Sequence, residues 1–237
     1  MALSNNHKYV LEGKIMQSNM GFQTATQSSA IEINKVLKNT YMLLSMTLAF
    51  SAVTAGISMA MGLSHMMALV MTLVAFGLLF VVNKQADKAS GIFWIFAFTG
   101  LMGASLGPML NYYAAMPNGG SLIMQALGGT ALIFFALSGY ALTSKKDFSF
   151  MGGFLMVGLI VVLIAAVANI FFAVPAVSLA ISSAIIMIMS GLILFDTSRI
   201  IHGGERNYIR ATVSLYLNVY NIFTSLLHLL GALNNND

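Results

Sequence analysis

The sequence predicts an all-α membrane protein, a seven-transmembrane-helix bundle, and three observations carry that prediction. Of 237 residues, 58% are hydrophobic and only 8% are charged, against about 25% charged in a soluble domain. The charges are also grouped. Residues 39–83, 89–144, 148–195 and 211–236 contain no Lys, Arg, Asp or Glu, and a helix needs roughly 20 mainly apolar residues to cross a bilayer. Finally, the polar alternation of a lumen-facing β-barrel strand is missing and the runs are too long for one.

The apolar runs divide at turn signals into seven spans. The first is 40–61, closed by Gly62. The second, 66–82, is short. The third, 91–113, contains Pro108, which removes a backbone donor and is expected to kink it. The fourth, 121–142, follows the turn Pro117-Asn118-Gly119-Gly120. The fifth is 151–172, and Pro175 marks the next turn. The sixth is 178–201 and the seventh 211–230. Lipid gives little hydrophobic drive between helices, so small residues that permit close approach become packing surfaces. Gly100, Gly103 and Gly107 in span three, Gly128-Gly129 and Gly152-Gly153 are expected to serve in that way.

All eleven basic residues fall in four segments: Lys8, Lys14, Lys35 and Lys38; Lys84 and Lys88; Lys145 and Lys146; Arg199, Arg206 and Arg210. Seven crossings put all four on one side, and basic loops face the cytoplasm. The expected orientation is therefore N-terminus in the cytoplasm, C-terminus outside. This location also accounts for the formal charge of +4 without a nucleic-acid partner. The bilayer itself is the first partner.

Two regions are expected: a flexible cytoplasmic tail, residues 1–38, and a transmembrane domain, residues 39–237. The tail is rich in Gln, Ser, Thr and Asn, as in SNMGFQTATQSSA, and is too polar to fold alone. It is either an inert extension or a handle for a cytoplasmic partner, with Lys8, Glu12 and Lys14 as its charged residues. It lacks the continuous apolar stretch of a signal peptide. The chain has no cysteine, so redox compartment is not legible.

Several chemistries are disfavoured. No span holds a lysine for a retinal Schiff base. HExxH and a Gly-rich phosphate loop are absent, and no cofactor is expected. Gly103-Ala104-Ser105-Leu106-Gly107 fits GxSxG, but that motif works as an elbow after a strand and here lies in a helix. Ser105 and His228 lie at similar expected depth, the arrangement an intramembrane serine protease needs. Glycine is common enough here for chance to supply the motif, and the chain is read as a non-enzyme.

One acid breaks the pattern. Asp196 ends a long uncharged stretch, three residues ahead of Arg199. Counting from the loop HGGERN, Asp196 lies roughly 10 Å along span six and Asn218 roughly 12 Å along span seven. The two side chains can face each other across an antiparallel hairpin, with Asn221 one turn deeper and His202 at the hairpin's end. Asp196 is then either an interface residue paired with Arg199 at i+3 or a buried carboxylate facing the bundle interior. An intramembrane ionisable residue is a functional candidate by default. Burial disfavours the charged carboxylate and a nearby guanidinium favours it. The balance decides whether the hairpin responds to pH, with Asp196, Asn218 and Arg199 as the sensing or gating set. A carboxylate among amide and carbonyl oxygens is also a weak ligand set for a hard cation such as Ca²⁺.

FDTSRIIHGGERNYIRATVSLYLNVYNIF resembles the signature region of the BAX inhibitor-1 family of seven-helix membrane proteins. LKNTYMLLSMTLAFSA, FAFTGLMGASLGPML, ALGGTALIFFALSGYALTSKKDFSFMGG and VVLIAAVANIF are similar to its proteobacterial YccA branch. The resemblance covers about residues 36–230 and implies a bacterial inner-membrane location. It implies one of two functions. The YccA branch is associated with FtsH, a membrane-anchored ATP-dependent protease, as a slowly handled substrate that restrains it, and the tail would be the handle. Other bacterial members resemble pH-sensitive calcium leak channels, in which the FDT aspartate pairs with a second aspartate in the last helix. Those positions correspond to Asp196 and Asn218 here. A single acid cannot form a pair that shares a proton, so the expected function is protease modulation, with a cation leak as the alternative.

Overall fold

The computed structural model describes the backbone of residues 2–234 and the side chains of residues 31–234. Eight α-helices and one 3-10 turn make up the described residues: α1 (Ala2–Ala60), α2 (His65–Gln85), α3 (Ser90–Ser105), α4 (Gly107–Ala114), α5 (Gly119–Ser144), the 3-10 turn Ser149–Met151, α6 (Gly152–Phe172), α7 (Pro175–Ile201) and α8 (Tyr208–Asn234). The helices are the only open-ended way for an apolar chain to satisfy its backbone in lipid. Seven helical stretches are long and apolar enough to cross a membrane, the third being α3 and α4 together, Ser90–Ala114.

The expected crossings all form, each longer than its apolar run by a few residues. The extra turns carry polar and charged residues that hydropathy leaves out. The first span runs Ile31–Ala60, so residues 31–38, assigned to the tail by composition, continue α1. Lys8, Glu12 and Lys14 lie outside the residues whose side chains are described.

Local chemistry sets the ends. Ser64 caps α2, its hydroxyl accepting the Met67 N–H at 3.2 Å, a common way to satisfy one free donor of a helix start. Pro175 begins α7, where its missing N–H costs nothing. Gly203 ends the same helix at φ +73°, a left-handed geometry that side chains resist. In the third crossing the helix breaks at Leu106, and Pro108 sits in the first turn of α4. The proline thus restarts the helix after a break.

α8 is the axis of the bundle, packed against α7, α5, α1 and α3, while α6 packs mainly on α7 and the 3-10 turn. α2 and α6 accordingly present large apolar side chains outward, with Phe80 and Phe154 both 79% exposed, toward the lipid. At the centre, Tyr216 is fully buried. Its hydroxyl lies 2.7 Å from the Ser51 hydroxyl and donates to the Thr99 carbonyl at 3.3 Å, and its ring meets Phe98 edge-on at 5.7 Å. A Cβ at Gly103 would overlap the Ser51 carbonyl, and one at Gly107 would overlap the Ser58 hydroxyl. These two glycines let the third crossing lie directly on α1. Gly129 and Gly152 face Leu226 and Phe195, whereas Gly128 and Gly153 face open space.

The basic connections meet at one end of the bundle. Arg210 pairs with Asp87 at 2.6 Å, and Asn207 donates to the Ala86 carbonyl at 2.9 Å and to Asp87 at 2.8 Å. These bonds join the α7–α8 connection to the α2–α3 connection. The His202 ring reaches the Lys145 carbonyl at 3.2 Å and so joins α7 to the α5–α6 connection.

Candidate functional site at the α7–α8 hairpin

The last two turns of α7 read Asp196-Thr197-Ser198, three successive polar side chains, all buried. Successive residues of an α-helix point about 100° apart, so each reaches a different neighbour. Asp196 faces α8, where Oδ2 accepts from the Ser214 hydroxyl at 2.6 Å and from the Asn218 amide at 2.8 Å. Thr197 faces α1, 3.4 Å from the Tyr41 hydroxyl. Ser198 faces the α5–α6 connection, where its oxygen accepts the Phe148 N–H at 2.9 Å and its hydroxyl reaches the Lys146 carbonyl at 3.4 Å. One turn of one helix therefore ties four parts of the molecule together.

Asp196 is 7% exposed, so the buried arrangement holds and the interface arrangement does not. A charge withdrawn from water costs several kcal/mol unless it is hydrogen-bonded. The two short bonds from α8 supply that compensation, and charge-assisted bonds are the stronger kind. Asn218 is 3% exposed and meets the carboxylate, an arrangement that the spacing allows. Ser214 was not singled out in the sequence. It lies one helical turn before Asn218, and i, i+4 spacing was the signal that could have found it.

Arg199 is not part of this cluster. Its guanidinium pairs with Glu205 at 3.6 Å and lies over the Phe195 ring at 5.5 Å. Gly203 turns the chain so that Glu205 comes back over the helix end, which places an acid nearer to Arg199 than Asp196. Asn221 also stays apart, donating to the Leu217 carbonyl of its own helix at 2.8 Å. In the His202 ring, Nδ1 lies 2.8 Å from the Ser198 carbonyl and Nε2 3.2 Å from the Lys145 carbonyl. A ring protonated on both nitrogens donates to both, and a neutral ring to one. Just beyond, Asp147 Oδ1 accepts the Ser149 N–H at 2.8 Å. The hydrogen bonds from Ser149 hold the Asp147 carboxyl below the ordinary carboxylate range.

Ser105 and His228 have other partners. The Ser105 hydroxyl donates to the Met102 carbonyl at 2.7 Å and lies 3.3 Å from the Tyr220 hydroxyl. His228 Nδ1 lies 2.8 Å from the Ser182 hydroxyl. The GxSxG glycines are explained by contact with α1.

A cavity of about 510 Å³ opens between α1 and α5, floored by Tyr216, Tyr220 and Phe223 of α8. No Asp, Glu, His, Lys or Arg lines it, so this opening and the buried acid of the bundle are separate. Among the described residues no group of three or more His, Cys, Asp or Glu side chains is placed to hold a metal ion.

Crossing-length helices packed around a buried polar axis define a class, the polytopic helical membrane protein. Residues 33–236 match the family described as "Inhibitor of apoptosis-promoting Bax1", and the chain belongs to that BAX inhibitor-1 family. It is 57% identical over 223 residues to a membrane protein of Vibrio cholerae, covering 94% of this chain and 100% of that one. It is also 57% identical over 206 residues to a protein of Escherichia coli K12 named modulator of FtsH protease YccA, covering 86% and 93%. The same identity and coverage hold for the inner membrane protein YccA of Escherichia coli O6:H1. This chain is a multi-pass protein of the bacterial inner membrane.

Proposed function

We propose that this chain is a non-enzymatic modulator of the membrane-anchored protease FtsH. The observation that carries the reading is the 57% identity to the Escherichia coli modulator of FtsH protease YccA, across 86% of this chain and 93% of the relative. In this reading the N-terminus lies in the cytoplasm and the C-terminus outside, as the grouping of basic residues at one end of the bundle supports. Residues before the first crossing, with Lys8, Glu12 and Lys14, are the handle that an ATP-driven protease grips. The bundle then resists extraction, because helices tied by buried hydrogen bonds leave lipid together or not at all. Asp196, Ser214 and Asn218 are the lock between α7 and α8.

The test uses membranes containing FtsH, a membrane substrate and the full-length chain. The full chain slows loss of the substrate several-fold, and a chain lacking residues 1–30 does not. Equal restraint by the shortened chain would exclude the handle. No restraint by the full chain would exclude modulation itself.

A further inference from the structure

The corner between α5 and α6 carries a surface that the proposed handle and lock leave unassigned. Its backbone is clamped inward: the Lys145 carbonyl meets His202, the Lys146 carbonyl meets Ser198, and the Phe148 N–H donates to Ser198. Lys145 takes a left-handed conformation, φ 51°, as the chain leaves α5. The polar backbone is thereby committed to α7, and the Lys145 and Lys146 side chains stand exposed. Among the described residues neither ammonium has an ion pair, whereas Arg199 and Arg210 do. Asp147, the acid between, directs Oδ1 to the Ser149 N–H and toward the Ser198 hydroxyl at 3.5 Å. Two cations and one acid leave the corner net positive.

Immediately below, Phe150 and Phe154 are 80% and 79% exposed. Phe150 lies in the 3-10 turn and Phe154 in the first turn of α6, so an exposed apolar surface begins where the basic corner ends. The ammonium pair lies where the Gly119–Ser144 crossing ends and the Ser149–Phe172 crossing begins, at the level of the headgroups. A negative group above a bare apolar strip fits one kind of partner, an amphiphile with an anionic head. An acidic peptide would satisfy the lysines and leave the phenylalanines in lipid. We propose that this corner binds an anionic phospholipid, its phosphate at Lys145 and Lys146 and one acyl chain along Phe150 and Phe154.

The test uses the full-length chain in phosphatidylcholine vesicles, with its single tryptophan removed by Trp94→Phe and a reporter introduced by Phe150→Trp. Quenching by brominated phosphatidylglycerol is compared with quenching by brominated phosphatidylcholine. The anionic lipid is expected to be preferred about fivefold, the effect of one basic residue at a membrane surface. Lys145→Gln with Lys146→Gln removes the preference, Asp147→Asn increases it, and Lys84→Gln with Lys88→Gln leaves it unchanged. Equal quenching by both lipids overturns the proposal, as does a preference that survives loss of both lysines. Loss of the preference on adding inorganic phosphate, at constant ionic strength, would assign the corner to a free anion and overturn the lipid.

Discussion

At the scale of single residues, the Asp196 carboxylate is the feature on which the hairpin turns, and its two donors make different predictions from its own substitution. Asn218→Leu leaves a buried carboxylate with one donor instead of two. It is expected to cost about 1–3 kcal/mol, the penalty for an unsatisfied buried group, seen as a lower Tm in detergent. Asp196→Asn keeps an acceptor oxygen facing Ser214 and Asn218 and is expected to cost less. No loss of Tm in either variant would mean that α7 and α8 are held by apolar packing alone. Asp147 gives the pH-dependent case. Its carboxyl is held below the ordinary range by hydrogen bonds from Ser149, so the folded form favours the charged group. That contribution is complete above the usual carboxylate value of about 3.9 and is lost as pH falls through the lower folded value. Protection of the Ser149 amide against exchange should therefore fall only in acid below that range, and Asp147→Ala should remove it at every pH.

At the scale of elements, the third crossing shows how sequence features acquire their meaning from neighbours. GASLG was legible as small residues at helical spacing, and as a serine motif. The structure keeps the first meaning, because Gly103 and Gly107 each meet a polar group of α1, and gives Ser105 a partner on α8. Gly103→Ala is expected to push α1 and α3 apart and to destabilise by about 1–3 kcal/mol, as overpacking does. Gly128→Ala, which faces open space, should leave the Tm unchanged. Helix existence was readable from hydropathy alone, because lipid allows an open chain no other fold. Helix ends were not. Glu32, Lys35 and Lys38 interrupt the apolar run without interrupting the helix, since charged side chains at a membrane boundary stay in water while the backbone continues. The partners of Arg199 were hidden for a related reason. Spacing along α7 names Asp196 as its neighbour, but the turn at Gly203 brings back Glu205, and a turn's path is not a periodic property.

At the scale of the whole molecule, sidedness rests on where eleven basic residues fall, and it can be measured directly. The natural chain contains no cysteine, so single cysteines report their own surroundings without background. Lys145→Cys is expected to resist an impermeant thiol reagent added to intact spheroplasts and to react after lysis. Ser121→Cys, at the opposite end of α5, should react in both. The opposite pattern would invert the bundle and remove the cytoplasmic handle. Asp196 facing Asn218 was one arrangement allowed by counting along two antiparallel helices. Ser198 and His202 as a clamp on a distant loop were not, because no count along the chain relates residues 145–148 to α7.

The Asp196-Thr197-Ser198 turn also sets how much the chain can change in length. One residue inserted into α7 just before Asp196 rotates everything after it by about 100° and advances it by about 1.5 Å. Two of the three side chains would then address the neighbour of another: a carboxylate toward a tyrosine, a threonine toward a backbone loop. α7 therefore behaves like a key with three cuts, indifferent to many changes of surface residue but closed to insertions and deletions, which the exposed turn at Pro117-Asn118 can absorb. Drift in this molecule is free in spelling and forbidden in phase.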